Sequence, residues 1–515
     1  MALIKSSLLL VAAAFAVNSS YSQNGSSPNG NTPNGNSSNS NALNDESLNN
    51  HASVFQQINQ EVLANSAAYE RLSDASKTIG HRLTGSENGK KAEQYAYDLL
   101  KSYGYSNLKF QPFEVESWSR GTVKLQLTNA ATKTSTDIKC VALAHSPVKV
   151  NTSAELADMD NGLEADYLAN PGKAKGKIVF ASLGLLPGSP AGLANLHRSE
   201  KTALAIKYGA TGVILFNGVK GGVLLTGTAS VTGKLNPIPA LCISFEEGMR
   251  IKESMKAGAF SGKIEMSNFS GKIKARNVIA SIPGKKFPNE KIVICGHLDS
   301  WDLATGAADN GIGSFSIIDM ARTFKKLNLQ GDRTIEFVLF MGEEQGLLGS
   351  NAYVDQAQKN NTLKQVGYVF NFDMAGNAAG FTAGGRKEAE AFFKETGELI
   401  KAIDTVFSNR SGAGRAGLHS DHEPFMLQGI PTASSTGILS GDIARCYHAD
   451  CDGIDIIDKK WMVNQVRFSS MMIYAMANIQ KLPAAHFNDQ QTKQFLIDNN
   501  LKEALIIAGD WRWKE

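Results

Sequence analysis

The stretch KIVICGHLD, residues 291–299, joins a short apolar run to a histidine and an aspartate. Ile292 to Cys295 has the length and the β-branched composition of a buried strand. Three similar runs follow, at Thr334 to Phe340, Gly367 to Asn371 and Ile430 to Ser434, and amphipathic helical patterns separate them. This alternation predicts an α/β fold with a mixed, mostly parallel central sheet flanked by helices.

Histidine and acidic residues follow three of these four strands, and a second histidine occurs nearer the end of the chain. They are His297, Asp309, Glu343, Glu344, Asp373 and His448. Ligands usually bind beyond the carboxyl ends of the strands in such sheets, so these side chains are expected to lie together. Imidazole and carboxylate groups aimed at one point are suited to zinc. The sequence therefore predicts a metal site at this edge of the sheet.

Neighbouring acidic residues indicate how the site is organised. Each of the two histidines is followed by an aspartate, Asp299 or Asp452, which is expected to accept the second ring N–H. Glu343 and Glu344 are adjacent, so one carboxylate can bind a metal while the other takes a proton from water. These residues alone leave open which glutamate has which role.

A set of short motifs identifies a family resemblance. The chain contains, in this order, H-x-D (297–299), D-N-G (309–311), G-E-E (342–344), F-D (372–373) and Y-H (447–448). Together they resemble the co-catalytic zinc aminopeptidase and glutamate carboxypeptidase family. The segments IGHRLTGS (79–86), QPF (111–113) and WSRG (118–121) are similar to its carboxypeptidase Q branch. The likeness covers most of the chain after about residue 55.

The resemblance implies two zinc ions per chain. Asp309 would bridge the two ions. His297 and Asp373 would complete the ligands of one ion, and Glu344 and His448 those of the other. The peptide bond after Asp309 is expected to be cis, as it is in relatives.

The resemblance also implies a reaction. Glu343 would be the general base, and Tyr447 would donate a hydrogen bond to the developing oxyanion. The expected activity is that of an exopeptidase acting on dipeptides or short peptides, as an aminopeptidase, dipeptidase or carboxypeptidase. Which peptide end is bound stays open, because a carboxypeptidase needs a cation for the α-carboxylate, and Arg415 and Arg445 are the candidates.

The remaining regions differ in composition. Residues 1–22 have the pattern of a signal peptide and imply export to the periplasm or out of the cell. Residues 23–50 are rich in Asn, Gly and Ser and are expected to be a disordered tether. Residues 122–274 are expected to form an inserted, smaller β-rich domain that resembles a protease-associated domain. That insert contains no cluster of metal-binding residues and is assigned no chemistry. Residues 51–121 and 275–515 would form the catalytic domain.

The net charge and the lack of long apolar segments argue against nucleic acid and membranes as partners. A net charge of +3 over 515 residues gives no reason to expect nucleic acid or a membrane surface. No segment has the roughly 20 apolar residues of a membrane-spanning helix. Five cysteines are too few for a disulfide scaffold, and whether Cys446 and Cys451 pair is left open. Short peptides are the expected partners, and a homodimer is compatible with the sequence.

Two other functions are compatible with this kind of fold. A glutaminyl-peptide cyclase uses a single zinc ion, and an inactive receptor would have lost metal ligands. His297 in H-x-D and the insert favour two metals, and the full set of ligand positions favours an enzyme. A catalytic triad of His419, Ser420 and Asp421 is excluded, because three consecutive side chains cannot converge. The loop 417–422 instead resembles one that lines the substrate pocket.

Overall fold

The computed structural model describes residues 45–437 and 439–514, with side chains from His51 onward. The α-helices are α1 Asp45–Asn65, α2 Ala68–Thr78, α3 Glu87–Ser102, α4 Glu164–Ala169, α5 Arg198–Lys207, α6 Phe245–Met255, α7 Ile312–Lys326, α8 Leu348–Lys359, α9 Glu390–Ile403, α10 Glu423–Met426, α11 Gly441–Cys446, α12 Lys459–Asn478, α13 Asp489–Asp498 and α14 Lys502–Ala508. The strands are β1 Leu108–Asn129, β2 Ser135–Ile138, β3 Cys140–Ala142, β4 Lys149–Asp158, β5 Ile178–Ser182, β6 Gly212–Phe216, β7 Ala240–Ile243, β8 Phe260–Ile282, β9 Phe287–His297, β10 Arg333–Phe340, β11 Val366–Asn371, β12 Gly380–Thr382 and β13 Thr432–Thr436.

The expected signal peptide, residues 1–22, lies outside the described residues, as does most of the expected tether. Helix α1 begins at Asp45, so the last residues of that tether are helical. Of the helices described, none has both the length and the apolar character needed to cross a membrane.

The central sheet has its parallel strands in the middle. In the part that carries the predicted site, the strand order is β12-β13-β11-β9-β10-β8. Strand β9 pairs in parallel with β10 and β11, and β11 pairs in parallel with β13. Strands β8 and β12 pair antiparallel at the two sides. The prediction of a mixed, mostly parallel sheet is confirmed.

The two faces of β9 are covered by different helices. Ile292 and Ile294 belong to the large core that includes α7 and α12, whereas Val293 and Cys295 belong to a smaller core with α8 and α10. All four side chains are fully buried. Successive residues of a strand point to opposite faces, so a strand between two helical layers needs an apolar residue at every position. This requirement explains the uninterrupted apolar run in the sequence.

Two long strands connect this sheet to the inserted region. Strands β1 and β8 contain 22 and 23 residues and pair antiparallel along almost their whole length. Each strand passes through a position where a domain boundary is expected, so the two regions share continuous backbone. Beyond them, β4, β5, β6 and β7 pair in parallel, and β3 pairs antiparallel with β7. One core of the inserted region also contains Leu83 and Trp301 of the catalytic part.

The cysteines have two different states. Cys446 and Cys451 form a disulfide, which answers the question that the sequence left open. Cys140, Cys242 and Cys295 are free thiols. Burial raises the pKa of Cys140 to about 11 and that of Cys242 to about 12, so both stay protonated and behave as small apolar side chains.

Candidate metal centre

Adjacent strand ends bring several of the predicted residues together. Strand β9 ends at His297, which lies opposite Phe340, the last residue of β10. The turn with Glu343 and Glu344 therefore follows directly beside the histidine. Strand β11, on the other side of β9, ends two residues before Asp373. All of these side chains reach the edge of the sheet where the parallel strands end.

Asp309 and His448 come from irregular segments outside the sheet. Asp309 lies in the turn Ala307–Gly311 before α7, where it and Asn310 have non-helical backbone angles. The peptide bond between these two residues is cis, as the family resemblance implied. His448 follows α11 with a φ of 53°, in the left-handed region that few residues other than glycine adopt. A disulfide closes the short loop around it.

Five of the predicted residues form two groups that share Asp309. In the His297 group, the histidine Nε2 lies 3.3 Å from Oδ1 of Asp309 and 3.2 Å from Oδ1 of Asp373. In the His448 group, the histidine Nε2 lies 2.9 Å from Oδ2 of Asp309 and 3.1 Å from Oε2 of Glu344. Within each group the potential ligand atoms lie within 4.8 Å of one another. Each group could hold a metal ion, and the two oxygens of Asp309 face different histidines.

The electrostatics of the site favour bound cations. Burial lowers the pKa of His297, but nearby carboxylates, above all Glu343 and Asp373, outweigh it and hold that pKa well above its ordinary value. Burial and neighbouring carboxylates raise the pKa of both Glu343 and Glu344. The Oε1 atom of Glu344 is buried without a hydrogen-bond partner. An unpaired buried carboxylate oxygen is unfavourable, and cations between these groups would supply both a partner and neutralising charge.

Asp299 supports the site differently from the prediction. The Nδ1 atom of His297 lies 3.1 Å from the main-chain oxygen of Asp299 and 3.7 Å from its carboxylate. The carboxylate instead accepts hydrogen bonds from the Thr84 hydroxyl at 3.0 Å and from the backbone N–H of Glu343 at 3.3 Å. Asp299 therefore orients the histidine through its carbonyl group and the glutamate turn through its side chain.

The prediction that Asp452 orients His448 is wrong. The Asp452 carboxylate accepts hydrogen bonds from the backbone N–H groups of Ala308 at 2.6 Å and Asp309 at 3.0 Å, so it fixes the turn. The Nδ1 atom of His448 lies 3.2 Å from the main-chain oxygen of Thr226, in the inserted region. A main-chain acceptor far away in the sequence leaves no motif, so nothing in the sequence pointed to Thr226. The insert, which was assigned no chemistry, therefore contacts the site.

Ser420 has a role that the sequence did not reveal. Its hydroxyl donates to Oδ2 of Asp373 at 2.7 Å and accepts from the Asn371 side-chain amide at 2.7 Å. It therefore orients a candidate metal ligand, which agrees with the exclusion of a serine triad.

The inserted region also places a buried cation beside Tyr447. The Tyr447 ring stacks on His448 with centroids 3.9 Å apart. Burial raises the pKa of Tyr447, and the nearby Arg198 guanidinium opposes part of that rise. Arg198 is 5% exposed, and its Nε has no hydrogen-bond partner. In contrast, Arg415 and Arg445, the two cations singled out from the sequence, are exposed.

Two family profiles match the chain. Residues 277–472 match Peptidase family M28, and residues 148–251 match the PA domain. The first range includes all the predicted site residues from His297 to His448. The second lies inside the expected insert and includes Arg198 and Thr226.

Individual proteins show the same relationship. Carboxypeptidase Q of Xenopus laevis is 28% identical over 431 residues, which are 81% of this chain and 87% of that protein. A solved peptidase M28 precursor from Shewanella amazonensis SB2B has a TM-score of 0.70 at 23% identity, covering 86% of this chain and 100% of that chain. A zinc aminopeptidase from Bacillus subtilis has a TM-score of 0.60 at 24% identity, covering 82% of this chain and 97% of that chain. These two structures share the fold described above.

Proposed function

We propose that this chain, which matches Peptidase family M28 over residues 277–472 and the PA domain over residues 148–251, is an exported exopeptidase that hydrolyses dipeptides or short peptides with two zinc ions. One observation carries this proposal: the two oxygens of Asp309 face two separate groups of potential metal ligands. A carboxylate placed in this way could supply one oxygen to each of two metal ions, which together would activate water and polarise a carbonyl.

Each group is proposed to supply the protein ligands of one ion. His297 and Asp373 would complete one set around the shared Asp309, and Glu344 and His448 the other. Each set contains one imidazole and two carboxylates, which is a ligand combination that zinc accepts in catalytic sites. Three protein ligands per ion also leave a position for water and substrate.

Glu343 is proposed as the general base. Zinc ions bound here would acidify a water molecule, polarise the scissile carbonyl and stabilise the oxyanion. Glu343 is half-buried at the same edge and belongs to neither ligand group. Burial raises the pKa of Glu343, which makes its carboxylate a stronger base than an ordinary glutamate, suited to take a proton from the attacking water and pass it to the leaving amine. The phenol of Tyr447 would donate a hydrogen bond to the developing oxyanion.

Arg198 is proposed to bind the free α-carboxylate of the substrate. Its guanidinium lies beside Tyr447, and because its Nε is fully buried, its terminal N–H groups are the ones that a substrate carboxylate would contact. It also packs directly against Gly227, where any side chain would collide with the guanidinium. Arg415 and Arg445 have no comparable burial. A buried anchor for one terminal carboxylate favours dipeptides and other short peptides with a free C-terminus.

Blocked peptides test this specificity. We expect hydrolysis of dipeptides, and a higher KM for C-amidated tripeptides than for the free acids. Arg198→Gln should raise KM for free-acid peptides by roughly 10- to 100-fold, the value of a charged hydrogen bond, and should leave KM for amidated peptides unchanged. The matched control is Arg250→Gln, which changes an exposed arginine of the inserted region that pairs with Glu247. Equal KM values for amidated and free peptides in the unmodified enzyme would contradict the proposed anchor.

Metal content separates this function from its alternatives. An exopeptidase of the proposed kind should bind two zinc ions per chain. One ion per chain together with cyclisation of N-terminal glutamine would indicate a glutaminyl-peptide cyclase. Absence of bound metal and of turnover would indicate a binding protein of the same fold.

Export is tested by locating the mature protein. We expect it in the periplasm or the medium, without residues 1–22. Mass spectrometry of the purified protein measures the new N-terminus. A cytoplasmic protein that keeps these residues would contradict export while leaving the proposed activity intact.

A further inference from the structure

The two ligand groups are oriented from different parts of the chain. In the His297 group, the main-chain oxygen of Asp299 faces the histidine and Ser420 donates to Asp373. Both supports belong to the catalytic part of the chain. In the His448 group, the acceptor that faces the imidazole is Thr226 of the inserted region. The insert therefore contacts one of the two proposed metal positions directly.

Residues 226–233 of the insert reach both sides of the His448 group. The Thr226 N–H donates to the main-chain oxygen of His448 at 3.0 Å, and the Thr226 oxygen lies 3.2 Å from the ring Nδ1. One residue thus pairs with both the backbone and the side chain of the histidine. At the other end, a side chain added at Gly233 would come within 3.0 Å of the main-chain oxygen of Gln345, next to Glu344. The segment spans the distance between the two ligands of this group.

A partly buried arginine contacts residues 226–233 from the catalytic part of the chain. Arg120 lies in β1, where the pairing with β8 is irregular. Its Nη2 donates to the Thr226 hydroxyl at 2.7 Å, and its Nη1 donates to the main-chain oxygen of Ala142. Its Nε and Nη2 also donate to the Asp302 carboxylate at 3.1 and 2.8 Å. The guanidinium is thus shared between two segments of the insert and one loop of the catalytic part.

The ion pair between Arg120 and Asp302 is largely shielded from solvent. The Arg120 and Asp302 side chains are only 12% and 16% exposed. Asp302 follows closely after His297 and Asp299, in the loop that leads away from the site. A two-pronged contact between a guanidinium and a carboxylate fixes orientation as well as distance. Arg120 therefore sets the position of residues 226–233, called here the Thr226 segment, relative to the edge of the sheet.

We propose that Arg120 is a positioning residue for His448 and acts through Thr226. The inserted domain would thereby help to orient a ligand of one of the two proposed zinc ions. This inference rests on the proposed function, because it assumes that Glu344 and His448 bind zinc. Without Arg120, the Thr226 segment loses its link to the sheet edge, and the His448 imidazole loses a fixed acceptor. The His297 group keeps its own supports. The effect should therefore fall on one ion of the two.

Zinc binding to the metal-free protein tests the inference. Arg120→Gln should lower the affinity for one of the two ions by roughly 10- to 100-fold, as expected for loss of support to a metal-bound histidine, and leave the other unchanged. Thr226→Val keeps the main-chain acceptor but removes the hydroxyl that Arg120 contacts, so it should give a smaller effect on the same ion. Arg120→Lys retains the positive charge but not the planar guanidinium that makes a two-pronged contact. It should therefore bind that ion more tightly than Arg120→Gln and less tightly than the wild type. Arg250→Gln is the control and should leave both affinities unchanged.

Two measurements distinguish positioning from a general structural role. Competition with a chromophoric chelator gives the two zinc affinities, and the visible absorption of the cobalt-substituted protein reports the geometry at each position. A merely structural Arg120 would lower the free energy of unfolding without changing the ratio of the two affinities. Unchanged affinities in both Arg120→Gln and Thr226→Val, or an equal loss at both positions, would overturn the inference. If Arg120→Gln does not fold, Thr226→Val decides the question.

Failure of the proposed function would have a different signature. A wild-type protein that binds fewer than two zinc ions overturns both the proposed function and this inference. A wild-type protein that binds two ions and hydrolyses peptides, with variants that show no selective loss, overturns only the inference.

Discussion

Glu343→Gln separates the two adjacent glutamates by their roles. Glutamine has almost the same size as glutamate and still forms hydrogen bonds, but it cannot take a proton from water. The backbone N–H of residue 343, which donates to Asp299, is unaffected by the substitution. Since Glu343 lies outside both ligand groups, we expect the variant to keep two zinc ions while losing most of its turnover.

The size of the loss follows from the proposed role. General base catalysis contributes roughly 10²- to 10⁴-fold to a rate, so kcat should fall by this factor. At about 1.4 kcal/mol per tenfold, the activation barrier rises by about 3 to 5.5 kcal/mol. Folding should not suffer, because Glu343 shares its surroundings with Glu344 and Asp373, and removing one of these clustered negative charges reduces their repulsion. The free energy of unfolding of the metal-free variant should equal or exceed that of the wild type.

The assay combines kcat on a dipeptide with the zinc content of the same sample. Glu253→Gln is the control, since it makes the same chemical change at an exposed residue that pairs with Lys256. A zinc-loaded Glu343→Gln variant with more than about a tenth of the wild-type kcat would refute the role of general base, which predicts at least a hundredfold loss. Loss of one zinc ion would instead show that Glu343 is a ligand and that the two roles are exchanged.

Four further substitutions have distinct expected outcomes. Asp309→Ala should lose both zinc ions and activity together, measured by metal analysis, because both groups share this residue. Tyr447→Phe should lower kcat by about 10²- to 10³-fold with little change in KM, the usual cost of removing one oxyanion donor. Replacing Cys446 and Cys451 with serine should reduce the free energy of unfolding by about 2 kcal/mol, the loop entropy for this short separation, and a reductant should have the same effect on the wild type. Burial lowers the pKa of Lys201 to about 7, whereas the unfolded chain keeps this proton up to about 10.5. The stability of the wild type relative to Lys201→Met should therefore rise between these pH values in denaturant titrations, and a flat difference would contradict the shift.

The fold and the approximate place of the candidate site could be predicted because their signals are local. The apolar run at Ile292 to Cys295 reflects burial on both faces of one strand, and helical patterns separate the neighbouring strands. Strand ends at one sheet edge then bring together side chains such as His297 and Asp373, whatever the details of the loops. The disulfide between Cys446 and Cys451 could be named as a possibility but not decided, because spacing does not give the relative direction of two side chains.

The supports of the candidate ligands could not be predicted, because they depend on contacts between distant segments. Thr226 and His448 are 222 positions apart, and the acceptor is a main-chain oxygen that any residue could supply. Asp452 is much nearer to His448 in the sequence, but its carboxylate accepts hydrogen bonds from two backbone N–H groups of the Asp309 turn. Arg198 was missed for a related reason, since its burial depends on how the insert packs.

The contacts of the insert also imply that docking of the insert, zinc binding and substrate binding are linked. The His448 backbone and ring both pair with Thr226, so any free energy with which zinc fixes that histidine also stabilises the docked insert. Linkage is reciprocal, so docking must raise the affinity for the same ion by an equal factor. Arg198 lies in the same insert, beside Tyr447, and on the proposed assignment it binds the substrate carboxylate. A peptide that contacts both Arg198 and the candidate metal ligands would therefore bind only when the insert is docked against the catalytic part. Its binding should then raise the affinity of the protein for zinc. The insert would thus contribute to the site through both the Thr226 main chain and the Arg198 side chain, although neither group of candidate metal ligands includes a residue of the insert.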